Sequence, residues 1–228
     1  MSMLKKLILK PNTYSLHRRK CHGRCGLDME FITLKSNSLN QIIPDTDVVW
    51  HSKNEDIAVV NVTVDPDNIP GFVSRVEHFH SKDNPTAACC VLDLKTGKEI
   101  IPCGCYSKIE AAGVGKNNER TLERLIVQVT EAGLEGKTTK TGVIDINQKP
   151  IIAIKHDKIC SVHQYKLGVP HRIPANYFVV QNAVGSNQTQ QVSLFDYTGR
   201  QVIPTKSAEE FRKAACTFSI LLTEGKMT

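Results

Sequence analysis

The sequence predicts an all-β protein with minor helical turns, built as tandem β-hairpin plus third-strand repeats of about 50 residues in three or four copies. Three observations carry that prediction. The segments VLDLKTGKEIIPCGCYSKI from Val91, VIDINQKPIIAIKHDKI from Val143 and LFDYTGRQVIPTKSAEEF from Leu194 share one pattern: two apolar residues, an Asp, a short polar turn and a resumed apolar pair. The resumed pairs begin at Ile100, Ile151 and Val202, 51 residues apart each time, a fixed period of the kind that marks a repeat architecture. Val and Ile recur in short, regularly spaced runs, and β-branched side chains fit a pleated surface.

Along the chain, residues 1–24 read as a basic N-terminal arm, 25–84 as a degenerate first repeat or cap, and 85–228 as the repeat region with three copies. Residues 1–27 hold Lys5, Lys6, Lys10, Arg18, Arg19, Lys20 and Arg24 and no acid, and the remaining 22 basic residues face 23 acidic ones. The whole formal charge of +6 therefore comes from this end. Such an arm holds phosphates, acidic protein surface or anionic lipid by screened Coulomb attraction, which makes those seven residues the candidate nucleic-acid or anion-binding set. The blander reading is a solvated terminus, since no aromatic platform or base-reading motif accompanies the charge. Leu7-Ile8-Leu9 is bounded by lysines and Pro11, far short of the roughly 20 apolar residues that cross a bilayer, and no secretory signal pattern follows. The expected setting is the cytoplasm, with no membrane contact.

The possible fourth copy comes next. Glu30–Leu34 and Gln41–Pro44 repeat the hairpin logic around a polar stretch, and Asp56–Val62 supplies a third strand. Ile42 lies 58 residues before Ile100, out of step with the later period, as terminal repeats often are.

In the three clearer copies the turns are Thr96-Gly97-Lys98, Asn147-Gln148-Lys149 and Thr198-Gly199-Arg200. Glycine reaches the positive φ that hairpin loops demand, so Gln148 in the middle copy predicts either strain or a different turn. After the second strand a bend or short helical turn leads to Ile109, Ile159 and Phe211, and third strands are expected at Leu125–Val129, Tyr177–Gln181 and Phe218–Leu222. Two segments compete with that register. Leu122, Leu125, Ile126 and Val129 have helical spacing, and Ala208–Ala215 is rich in helix formers. The register favours strand for the first.

These features resemble the WG-repeat family, whose unit reads Trp-Gly, two apolar residues, Asp, a Gly turn, an apolar-apolar-Pro strand and a Tyr-Asp-x-apolar segment. Ile100-Ile101-Pro102, Val202-Ile203-Pro204 and His156-Asp157-Lys158-Ile159 carry the likeness, with Asp93, Asp145, Asp196, Gly97 and Gly199. Where the family has Trp-Gly this chain has Cys89-Cys90, Thr141-Gly142 and Val192-Ser193. The resemblance covers residues 85–228 and implies a β-repeat domain used for recognition.

The chain contains 8 cysteines. Cys21, Cys25, Cys103 and Cys105, with His22 as a substitute, can be arranged as a tetrahedral zinc site, yet no CxxC pair announces one. Otherwise cysteine serves as a small apolar residue of strands in a reducing compartment. A Cys/His-dependent hydrolase or nuclease is the remaining alternative. Glu55-Asp56-Ile57-Ala58-Val59 is similar to the aspartate strand of chymotrypsin-like proteases, with His17, His22 or His51 upstream, but no turn of the Gly-x-Cys-Gly kind exposes a nucleophile and Gly104-Cys105 is the nearest approach. His78 and His80 alternate on one expected strand face, and His156, His163 and His171 are scattered.

The functional expectation is a non-enzymatic module that recognises a protein partner through loops on a repeated β scaffold, with no cofactor. The loops expected to make contact are 64–87, 113–121, 133–142, 164–176 and 182–191, all polar insertions between expected strands.

Overall fold

The computed structural model describes residues 14–22, 28–38, 41–42, 46–64, 86–115, 119–133, 136–165, 173–184 and 189–224. The protein is all-β with a single described α-helix. Strands β1 (Tyr14–His22), β2 (Asp28–Ser36) and β3 (Gln41–Ile42) form a three-stranded sheet. The rest builds three four-stranded antiparallel meanders. They contain β4 (Thr46–His51), β5 (Ile57–Val64), β6 (Thr86–Asp93) and β7 (Glu99–Tyr106); then β8 (Lys108–Val114), β9 (Arg120–Gly133), β10 (Gly136–Ile144) and β11 (Pro150–His156); then β12 (Lys158–Ser161), β13 (Phe178–Val184), β14 (Thr189–Phe195) and β15 (Gln201–Ser207). Helix α1 (Ala208–Thr223) follows. The chain divides into two compact units, one of residues 1–110 and 128–138, the other of residues 111–127 and 139–228, so the division falls inside β8, β9 and β10.

In the first unit Tyr14, Leu34, Val48, Ala58, Val60, Cys90, Leu92 and Leu94 form the core. The second unit has two clusters, and β13 feeds both: Val179 points into one, Phe178 and Val180 into the other. Successive strand residues face opposite sides, so a strand buried on both faces reads as an uninterrupted apolar run. That explains why Leu125–Val127 and Phe178–Val180 are strands despite helical spacing at the first.

The three aspartates of the repeated pattern close the hairpins β6–β7, β10–β11 and β14–β15. Asp93 Oδ1 accepts the amides of Lys95 and Thr96, at 2.9 and 3.0 Å. Asp145 Oδ1 accepts those of Asn147 and Lys149, at 2.9 and 2.8 Å, and Asp196 Oδ1 those of Thr198 and Arg200, at 2.9 and 3.0 Å. Aspartate suits this place because its short side chain reaches the backbone two residues on. The backbone closes identically in the second and third: the Asp145 amide donates to Lys149 O and the Asp196 amide to Arg200 O. Gly97, Gln148 and Gly199 take φ of 68°, 64° and 89°. Gln148 therefore adopts the same left-handed turn as its glycine counterparts, and strain rather than a new turn type is the outcome.

Past each turn the register slips. From Val91↔Ile101 to Cys89↔Tyr106, β6 moves two residues while β7 moves five; from Val143↔Ile152 to Thr141↔His156, β10 moves two and β11 four; from Leu194↔Ile203 to Val192↔Lys206, β14 moves two and β15 three. A bulge of this kind bends its strand. Gly142 lies opposite the second bulge, where an added Cβ would come within 2.5 Å of Ile154 Cγ1 and 2.8 Å of its Cα. Gly142 is thus required by close backbone approach.

Each fourth strand ends at a polar bend, Ser107 after β7 and Asp157 after β11, and the chain continues directly into the first strand of the next sheet. Ile109 and Ile159 consequently lie on strands β8 and β12, each reached through a bend, which is one of the two forms expected there, and not through a helical turn. At the third equivalent position Ser207 instead caps α1: its Oγ accepts the Glu210 amide at 3.4 Å, while Glu210 Oε2 accepts the Ser207 amide at 3.2 Å. The strand expected at Phe218–Leu222 is helix. A strand there needs a neighbour to pair its backbone, and among the described residues none follows; a helix satisfies its own backbone. Phe211, Ala215 and Phe218 line one buried face, with Phe211 against Tyr165 and Phe218 against Tyr177 at ring separations of 6.0 and 5.6 Å. The hairpin expected at residues 30–44 forms, with β2 paired to β3, but the third strand expected at Asp56–Val62 does not join it: β5 pairs with β4 and β6, and β1 takes the other side of β2. The long loop expected at 133–142 is chiefly strand β10.

Replacing Gln148 by glycine relieves the left-handed conformation and is expected to stabilise the protein by about 0.5–1 kcal/mol, read as a higher denaturant midpoint at unchanged slope. A lower midpoint contradicts the strain.

Candidate functional site

The basic residues expected to bind anions separate in the structure. Lys5, Lys6, Lys10 and Arg24 lie outside the described residues. Arg18, Arg19 and Lys20 are on β1, which pairs along its whole length with β2. Alternation puts Arg18 and Lys20 on one face and Arg19 on the other. Arg18 is engaged: its guanidinium donates to Glu55 Oε1 and stands 3.5 Å from His51 Nε2. Arg19 and Lys20 are exposed and have no ion pair among the described residues. The start of β1 is anchored through its backbone, with the Tyr14 amide donating to Leu94 O at 2.7 Å. The Leu94 amide in turn donates to Asp56 O at 2.7 Å, and Lys95 Nζ stands 2.8 Å from Asp56 Oδ1. Asp56 thus pairs with a lysine in a turn-to-turn contact and not with one of the upstream histidines.

The cysteines divide by face. Cys89 and Cys90 are fully buried on β6, Cys103 is half-buried on β7, and Cys105 is exposed. The Cys89 thiol donates to Asn61 Oδ1 at 2.7 Å and to Ser107 O at 3.5 Å, and burial pushes its pKa up to about 11. Cys90 is held well above the ordinary thiol range, first by the neighbouring Cys103 and then by burial. A cysteine that starts hydrolysis as a free thiolate needs the opposite shift. Of the candidate zinc ligands, Cys25 and the side chain of Cys21 lie outside the described residues, and among the described residues no group of three or more His, Cys, Asp or Glu is placed to hold a metal. His78, His80, His171 and the side chain of His163 also lie outside them.

Two polar clusters emerge that no motif announced. At the β11–β12 bend, Asp157 Oδ1 accepts Lys140 Nζ at 2.6 Å and its Oδ2 accepts the Ala183 amide at 2.7 Å, while Asn182 Oδ1 accepts the Asp157 amide at 3.3 Å and lies 3.2 Å from His156 Nδ1. Lys140 and the Ala183 amide hold the Asp157 carboxyl below its usual range. Burial lowers the His156 pKa against its bond with Asn182, and its ring leans on Phe195 at 6.3 Å. The second cluster surrounds Tyr197 in the Asp196 turn. Tyr197 stacks on Phe178, donates from its hydroxyl to Glu123 Oε2 at 3.0 Å, and receives the Arg124 guanidinium over its ring at 4.3 Å; Arg124 Nε also donates to Tyr197 O at 3.0 Å. The only sequence signal for it is an aromatic residue directly after a turn aspartate.

Comparison with family models, with curated proteins and with solved structures gives no match to this chain. Among the described residues no helix is long and apolar enough to cross a membrane.

Because the folded Asp157 pKa is depressed, its contribution to stability is present above the unfolded value near 3.9 and is lost as pH falls through the folded value. Asp157→Asn is therefore expected to lower stability by a roughly constant amount between about pH 5 and 8 and to match the parent chain below about pH 3. The gap is at most ~1 kcal/mol, since both partners are about 40% exposed and solvent screens them. Urea midpoints across that pH range check it, and a gap that persists in acid contradicts it.

Proposed function

We propose that this chain is a non-enzymatic recognition module that holds a protein partner with the connections of its meander sheets. One observation carries the reading: among the described residues the aspartates of the repeated turns are committed to holding the scaffold. Asp93 and Asp196 are held below the ordinary carboxyl range, Asp93 by the Thr96 and Lys95 amides and Asp196 by Thr198 and Arg200 against burial, so both are fixed acceptors of backbone hydrogen bonds. Cys89 and Cys90 are buried thiols. In each meander the Asp turn shares an end with the connection between first and second strands, and the opposite end carries the connection between second and third. The connections 65–85, 115–119, 165–177 and 185–188, most of which lie outside the described residues, are the segments proposed for contact, with 133–142 removed from that set because it is mainly strand. The WG-repeat likeness supports the same reading.

A second reading rests on Arg19 and Lys20, both exposed, in a basic stretch of sequence that also holds Lys5, Lys6 and Lys10: binding of nucleic acid through the basic end. Salt separates the two. If Arg19 and Lys20 each displace one phosphate counterion, affinity for a mixed-sequence oligonucleotide falls about tenfold between 50 and 200 mM salt, and Arg19→Glu with Lys20→Glu abolishes it. The module reading predicts partner capture from lysate that survives nuclease and that salt range in both the parent and the double variant. Capture lost with nuclease, or with the double variant, overturns it in favour of the second reading.

A further inference from the structure

Cys90 and Cys103 occupy a place where the fold forces two strands together. Each sits three residues from its landmark, Cys90 before the turn Asp93 and Cys103 after Ile100; Gly142 and Ile154 hold the same places about Asp145 and Ile151. In that second hairpin the approach is so close that a Cβ on Gly142 would collide with Ile154. In the first hairpin both positions carry thiols. The register slip between Cys89↔Tyr106 and Val91↔Ile101 leaves Cys90 facing the bulged residues 102–105, and Cys103 packs against the cluster that contains Cys90. The two thiols lie near enough for Cys103 to raise the pKa of Cys90. Cys90 and Cys103 stand on adjacent strands, and a disulfide spans Cα separations of roughly 4.4–6.8 Å.

We propose that Cys90 and Cys103 form a redox-responsive dithiol, oxidised to an intramolecular disulfide by a low-molecular-weight disulfide such as glutathione disulfide. Their exposures assign the roles. Cys103 is half-buried and reachable, whereas Cys90 is fully buried and keeps its proton. The Cys103 thiolate bonds to one sulfur of glutathione disulfide and breaks its S–S bond; the departing glutathione thiolate takes up the proton that Cys103 gave. Cys90 then gives its proton to the second glutathione sulfur as its own sulfur bonds to Cys103 Sγ and displaces that glutathione. Two protein thiols are oxidised, and glutathione disulfide is reduced to two glutathione thiols. Cys89 does not take the resolving role, since successive strand side chains face opposite ways and its thiol is bonded to Asn61 Oδ1. The bond would fasten β6 to the bulge of β7, immediately before the Ser107 bend.

The test uses the full chain with Cys105→Ser, which removes the exposed neighbouring thiol. After incubation with glutathione disulfide, peptide mapping is expected to find Cys90 joined to Cys103, with two thiols lost from that pair and restored by dithiothreitol. With Cys90→Ser added, the same treatment is expected to leave glutathione trapped on Cys103; with Cys103→Ser instead, Cys90 is expected to stay unmodified. Unchanged far-ultraviolet circular dichroism secures the fold of each variant. A Cys89–Cys103 crosslink, a stable glutathione adduct on Cys103 while Cys90 is present, or no oxidation of either residue overturns the proposal.

Discussion

The scaffold depends on one interaction made three times: an aspartate carboxylate at the mouth of a hairpin accepting the amides of the turn that follows it. Those amides have no strand partner, and leaving them unsatisfied would cost about 1–3 kcal/mol where they are shielded from water. The carboxylate fixes where the chain reverses, and so fixes which residues of the two strands face each other. Register follows from the turn, and a slip of one residue would send Val91, Val143 or Leu194 to the opposite buried face, where the buried neighbours Leu92, Ile144 or Ser193 now pack. The three hairpins then diverge only past the turn, where bulges of different length sit opposite Cys90, Gly142 and Ser193.

The second device is the polar residue at the end of each fourth strand. Ser107 donates its amide and hydroxyl to Gln128 O at 2.9 and 3.1 Å, and Asp157 binds the Ala183 amide. Each bend is thereby tied to the second strand of the sheet it leads into, Gln128 on β9 and Ala183 on β13. After β15, with no further sheet among the described residues, the same position caps a helix, and that helix packs Phe211 and Phe218 into the core of β12–β15. One local choice at Ser207, a serine followed three residues later by Glu210, converts a strand continuation into a lid on the core.

Much of this was legible in the chain because its causes are local. Asp, turn and apolar pair can be read directly, and so can the need for positive φ at Gly97, Gln148 and Gly199. Other features depended on partners distant in sequence. Phe218–Leu222 is apolar enough for a strand, and only the lack of a pairing neighbour makes it helical. The phase of the sheets was hidden for the same reason: Ser107 and Asp157 read as ordinary bends, and nothing local says that the strands beyond them belong to the next sheet. The Tyr197 cluster joins residues more than 70 positions apart, 123 and 124 with 197, so no local motif could announce it. The charged end was legible as composition, but Arg18 is taken up by Glu55 in a contact that spacing does not reveal.

Amide hydrogen exchange at the three turns tests the central claim most directly. If each carboxylate holds its turn, the amides of Thr96, Lys149 and Arg200 exchange at least about tenfold more slowly than in an unstructured chain, consistent with hydrogen bonds worth roughly 1.4 kcal/mol, and replacing Asp93, Asp145 or Asp196 by alanine removes protection at its own turn first. Free exchange at all three amides in the parent chain would contradict the account.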